Sequence, residues 1–252
     1  LFAKSLTLYE PIQLLKPLAP GIGVVDGPLV FMAYPGLSFL KIPFTTRMTV
    51  VELGNGDLWL HSPTAFDPTL AASLAARGRI AHLVSPNKIH YAGIQAWKQA
   101  FPEALAWASP GVRERARQQG AAVAFDRDLG AQPPEAWRDD LQQTVIPGSF
   151  MLEIVFFHAA SRTLILTDAI ENFELEKIKP PLRWLMKAAG AYHPHGQMPL
   201  DLRATFLPHR EEARAAAERM IAWKPERIVL SHGRLIEDDP IAALRYAFRW
   251  AL

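Results

Sequence analysis

The chain has no cysteine. Disulfides, thiolate metal sites and a cysteine nucleophile are thereby excluded, so any metal must be held by histidine, by carboxylates or by both. Long apolar runs are also missing. The stretches 24–34 and 154–157 are too short to cross a bilayer, and Asp26 and Pro28 interrupt the first. Nor do like charges cluster. There are 27 basic and 25 acidic residues, for a formal net charge of +2. The modest basic segment of Lys177, Lys179, Arg183 and Lys187 reads as a solvated face. Nothing calls for nucleic acid or a membrane as a partner, which leaves a small molecule. The first residue is Leu, so a trimmed targeting peptide stays open; the lack of cysteine suits the cytoplasm.

What is present is an ordinary globular balance, 50% hydrophobic and 21% charged over 252 residues. Residues 1–46 are rich in Pro, Gly and Leu and read as an irregular N-terminal segment with short strands at 23–25 and 29–32. It is expected to pack on a single domain spanning 1–252. Strands at 48–53 and 58–61 flank Gly54-Asn55-Gly56-Asp57, a strong hairpin signal. A helix over 68–77 closed by Gly78, a strand at 80–84, a helix over 89–101 opened by Ser85 or Asn87, a strand at 104–108 and a helix over 112–119 follow. This alternation predicts an α/β fold. Further on come strands at 150–157 and 163–167 joined as a hairpin, then a helix over 174–188 and a loop over 189–209. Helices over 210–223 and 240–250 enclose a last strand at 227–230.

Four of these strands end in residues able to do chemistry, which suggests one shared site. They run into His61-Ser62-Pro63, into Ser85-Pro86-Asn87-Lys88-Ile89-His90-Tyr91, into Asp168, and into Ser231-His232-Gly233. The order of these segments, from about Met48 to Arg234, resembles the metallo-β-lactamase superfamily. The phrases 58–63, 86–90, 156–158 and 231–233 also resemble an uncharacterised branch of it, a domain of unknown function. The resemblance implies an αββα sandwich, two mixed sheets with helices on their outer faces. It also implies that most of the usual two-metal site is gone. The family's early Asp falls at His61. Its first two His ligands fall at Pro86 and Lys88, its Asp at His90 and its third His at Tyr91. A further His falls at Val145. Proline and valine cannot coordinate, so the three-His site is lost.

The second site keeps His90, Asp168 and His232. Two imidazoles and a carboxylate suit one divalent zinc or iron, with Tyr91 or His61 as a further neighbour. Lys88 either supplies the lost positive charge or is an exposed lysine. Pairing across a turn centred on Ala160-Ser161 puts Glu153 opposite Asp168, unless the register slips and turns it to solvent. By the same pairing His158 is structural, about 16 Å from Asp168 at about 3.3 Å per residue. His193 and His195 read as a surface loop or a lid, and Arg47 and Arg203 as anion-binding candidates.

Three readings follow. In a metal-dependent hydrolase of an ester, lactone, amide or phosphoester, Asp168, Lys88 and Glu153 are catalytic and Asn87, Tyr91 and His61 bind substrate. In a metal-free ligand-binding or scaffold module, Asn87, Lys88, Tyr91 and Trp97 line a pocket. An iron oxidoreductase rests on the permissive ligand set alone.

Overall fold

Two mixed β-sheets pack face to face and carry the helices on their outer sides. The computed structural model describes residues 5–34 and 37–252. The first sheet has seven strands in sequence order: β1 (Lys16–Ala19), β2 (Ile22–Tyr34), β3 (Leu37–Glu52), β4 (Asp57–His61), β5 (Arg79–Ser85), β6 (Leu105–Ala108) and β7 (Arg127–Asp128). Neighbours are antiparallel up to β4 and parallel after it. Helices α1 (Pro68–Ala75), α2 (Ile94–Ala100) and α3 (Val112–Gln118) lie between its later strands.

The second sheet takes β8 (Leu141–Ile146), β9 (Glu153–His158), β10 (Thr163–Ile165) and β11 (Arg227–Val229), in the order β11-β10-β9-β8. Only the β10–β11 pair is parallel. Helices α4 (Leu182–Ala189), α5 (Leu200–Ala204) and α6 (Arg210–Ala222) precede β11, and α7 (Pro240–Ala247) follows it.

Side-chain alternation builds the layers. On β9, Ile154 and Phe156 join Trp59, Val84, Trp107 and Trp137 in one buried cluster that includes residues of both sheets. Val155 and Phe157 instead join Ala213, Met220, Leu244 and Ala247 of α6 and α7. On β4, Leu58 and Leu60 pack with Leu70, Leu74, Ile94 and Trp97 of α1 and α2. This is the αββα sandwich that the resemblance implies.

Several elements differ from the sequence reading. The opening segment is not irregular throughout, because β2 and β3 form one long antiparallel hairpin whose register shifts at Gly27-Pro28. Proline removes a ladder donor there, and pairing with residues 42–51 carries the strand past it. β8 had no apolar alternation to reveal it, since Gln142 and Gln143 interrupt the pattern; Gln143 is buried and donates to the Gly130 carbonyl. The helix expected over 174–188 starts only at Leu182, after Pro180-Pro181. The loop expected over 189–209 contains α5. The helix expected over 89–101 is delayed to Ile94. Asn87 Oδ1 accepts the Ile89 and His90 amides at 2.9 and 3.1 Å and caps a turn instead. Gly93 then lets the chain approach Pro63, whose carbonyl oxygen lies 2.1 Å from where a Cβ would stand.

Candidate metal centre

Asp168 follows β10 and sits between two imidazoles. Its Oδ2 lies 3.2 Å from His90 Nε2, and its Oδ1 lies 3.2 Å from His232 Nε2. The three ligand atoms all fall within 4.8 Å of one another. Asp168 and His232 are buried and His90 nearly so.

Each member is held from behind. Asn87 Nδ2 donates to Asp168 Oδ2 at 2.7 Å and to Thr167 Oγ1 at 2.9 Å. Glu153, fully buried, accepts the amides of Thr167, Asp168 and Ala169 at 2.6, 2.8 and 3.0 Å. The paired strands keep the expected register, with Thr163 opposite His158 and Ile165 opposite Phe156. His90 Nδ1 lies 2.6 Å from Ser62 Oγ, and Ser62 takes a left-handed conformation (φ 51°) to present it. His232 Nδ1 lies 2.6 Å from the Thr45 carbonyl, and the ring packs against Phe44 and Phe173. The turn bearing His232 is fixed by Arg47, which donates to the Leu230 and Gly233 carbonyls at 2.8 Å each and pairs with buried Asp26 at 2.8 Å. Gly233 (φ +104°) passes so close to Asn172 that a Cβ would lie 2.2 Å from its carbonyl oxygen.

A carbonyl only accepts, so His232 Nδ1 carries a proton, and Nε2 is the nitrogen left to face the carboxylate. A bare Nε2 there calls for a cation between it and Asp168, whereas an Nε2–H donates to the carboxylate directly. A metal fits the donor set. Ligand atoms about 2.0–2.2 Å from one zinc stand about 3.3–3.6 Å apart at tetrahedral angles, and His90 Nε2 and His232 Nε2 lie 3.3 and 3.2 Å from Asp168 Oδ1. A carbonyl holding the far imidazole nitrogen is the usual support for a histidine ligand.

The two rings and the buried carboxyls around Asp168 also act on one another's charge. Burial opposes ionisation of Asp168, but the His90 charge and hydrogen bonds from His232 and His90 outweigh it and hold the carboxyl well below its usual range. Burial also opposes a charged His90, yet Asp168 raises that ring above its ordinary value. Glu153 is pushed up to about 7, first by burial and then by Asp168, against the three amides that favour its anion. Glu171 is raised well above the usual carboxyl range by burial and by Asp168, Asp201 and Glu153. It lines the same cavity as Asp168.

Comparison with known proteins gives the family. The family model described as "Domain of unknown function (DUF4336)" matches residues 34–199. The chain belongs to the DUF4336 family. No curated protein sequence matches it. Among solved structures, the DUF4336 chain is similar to the DIM-1 metallo-β-lactamase exposed to ceftazidime, with 13% identity over 96% of this chain and 97% of that one (TM-score 0.63). It is also similar to the mono-zinc form of the metallo-β-lactamase FIM-1 from Pseudomonas aeruginosa, 15% identical over 99% and 98% of the two chains (TM-score 0.60). A putative diflavin flavoprotein fragment from Nostoc sp. PCC 7120 is 13% identical over 94% of each chain (TM-score 0.61). These likenesses show the metallo-β-lactamase fold.

In the DUF4336 chain, Asn87, His90, Glu153, Asp168 and His232 come together. Other expected site residues stand elsewhere. Lys88 places its ammonium over the Phe150 ring, 3.8 Å from the centroid, and makes no ion pair with a carboxylate among the described residues. His61 is buried against Trp59 and Phe156, so its ring offers no surface to a substrate. Tyr91 packs on the cluster under α1 and α2, and Trp97 is fully buried there, so the expected pocket of Asn87, Lys88, Tyr91 and Trp97 does not form. Pro86 and Val145 serve the backbone: the Pro86 carbonyl accepts the Ile154 amide at 2.9 Å, and Val145 pairs with Ile154. His158 bonds Ser161 at 2.7 Å near its turn. His193 and His195 line a separate cavity of about 710 Å³ beside Arg234 and Tyr246. Arg47 is consumed by Asp26 and the His232 turn, and Arg203 donates to Gln197. The sequence reading did not find Thr45, whose carbonyl leaves no side-chain signal, or Glu171, which has no motif around it.

Proposed function

We propose that this DUF4336 chain is a hydrolase working with one divalent metal, zinc or iron, held by His90, Asp168 and His232. One observation carries the reading: His232, whose Nδ1 is held by the Thr45 carbonyl, aims its other nitrogen at Asp168 from 3.2 Å. The likeness to a metallo-β-lactamase described in mono-zinc form supports it. A bound divalent ion there supplies Lewis-acid polarisation of an acyl or phosphoryl oxygen and acidifies water.

The chain's own residues do the positioning. Thr45 and Ser62 orient the two rings, and Asn87 keeps one Asp168 oxygen in place. Glu153 fixes the 167–169 turn through three amides and is a place to hold a proton beside Asp168. Lys88 becomes an oxyanion partner only by leaving Phe150. The substrate class is an ester, lactone, amide or phosphoester.

A second reading has its own support. Asn87 Nδ2 and an N–H on each Nε2 would satisfy Asp168 without any metal, as a binding module requires. Elemental analysis of protein purified without chelator decides between them. The hydrolase reading expects close to one zinc or iron per chain, falling to background in His232→Ala. Background metal in the unaltered protein, with zinc added back and no tight binding, favours the metal-free module.

A further inference from the structure

We infer that the ligand of this site is an amphiphilic acyl compound whose ester, lactone or amide end enters first, with an alkyl or aryl tail of roughly ten heavy atoms lying in an apolar trough behind it. The inference rests on the hydrolase reading above and names its substrate class.

Asp168 opens onto a cavity of about 350 Å³. Its polar end is its buried end, since Asp168 and Glu171 are 3% and 4% exposed. Its walls include Ile42, Phe44, Ile89 and Met186. Its mouth is the apolar part: Met32, Leu185, Phe150 and Leu200 are 37%, 39%, 40% and 44% exposed. The remaining charged side chains on the lining, Arg115 and Asp201, are opposite in sign. A site for a small polar solute has no use for four large apolar side chains held in water at its mouth, where each costs hydration free energy. A polar head at the bottom and an apolar tail along the rim satisfy both ends at once. At about 30 Å³ for each water-sized group, the volume takes a chain of roughly ten to twelve such groups.

Calorimetric titration of the purified protein with hexanol, octanol and decanol tests this without turnover. The affinity is expected to rise about fourfold per methylene, the equivalent of about 0.8 kcal/mol each. Ala189→Trp, which fills the lining, should weaken decanol at least tenfold. Leu200→Glu, on the exposed rim where the fold is not at stake, should weaken it severalfold. A series that does not steepen with chain length, or decanol binding indifferent to folded Leu200→Glu, overturns the inference. His232→Ala separates the two ideas. It should abolish zinc binding and leave the alkanol series intact. A flat series with zinc binding retained therefore removes only the amphiphile, and a steep series without zinc removes only the metal hydrolase.

Discussion

Asp168 is the residue on which the others converge. Its amide is taken by Glu153, and its two oxygens are shared among Asn87, His90 and His232. Asn87 uses both ends of its amide, one for Asp168 and Thr167 and the other for the Ile89–His90 turn. Asn87→Ala is therefore expected to lower the unfolding free energy by about 1–3 kcal/mol, read as a lower urea midpoint, because buried partners lose their bonds. An unchanged midpoint would contradict that role. Arg47 is the other residue with long reach. It is buried with Asp26 and holds two carbonyls of the His232 turn. Arg47→Met leaves buried Asp26 with Lys16 as its remaining charged partner at 2.9 Å and strips two carbonyls of the His232 turn of their donor, which should cost about 1–3 kcal/mol in the same assay. Wild-type stability in that variant would mean that Lys16 alone compensates Asp26 and that the turn holds without Arg47.

At the scale of elements, the site is made where turns from different strands touch. α2 begins late because Gly93 rides against Pro63, next to the residue that presents its hydroxyl to His90. A methyl there cannot be absorbed, since what it meets is backbone. Gly93→Ala is expected to push the 62–64 turn aside and weaken zinc binding about tenfold or more, the usual cost of losing support behind a ligand. A zinc titration matching the unaltered protein would show that the Ser62 contact does not matter. The same elements mark how far the sequence could be read. Strand ends, the 153–168 hairpin register and the surviving His90, Asp168 and His232 were legible because apolar periodicity and residue type carry them. The β2–β3 hairpin was not, because its pairing is long-range and passes through Gly27-Pro28. For Lys88, sequence position says where a lysine begins and not that its ammonium rests on Phe150.

For the molecule as a whole, the sandwich between the sheets is rich in tryptophan and encloses histidines that must stay neutral. Burial pushes His61 down to about 3 and His82 down to about 4 from an ordinary 6.5. Trp107 Nε1 donates to His82 Nδ1 at 3.2 Å, which needs an unprotonated acceptor. Unfolded, these rings bind protons near pH 6.5; folded, they do so only near pH 4 and below. Between those values these two rings hold more protons unfolded than folded, so their contribution to stability rises with pH and is lost as pH falls from about 6.5 towards 4, while the raised Glu153, Glu171 and His90 contribute in the opposite sense. The slope is up to about 1.4 kcal/mol per pH unit for each histidine. His82→Gln, which keeps an acceptor for Trp107, should flatten part of that slope in urea denaturation followed by tryptophan fluorescence. A slope as steep as before would shift the acid sensitivity to other groups. Among the described residues, no helix is long and apolar enough to cross a membrane. Among the described residues, the rim of the Asp168 cavity is one stretch of exposed apolar surface.

The most direct test is a zinc-edge anomalous difference map from crystals grown or soaked with zinc. The expected result is one peak per chain within about 2.0–2.2 Å of a His90 nitrogen, an Asp168 oxygen and His232 Nε2. A map with no peak between these three side chains, or with zinc only at His193 and His195, would contradict it.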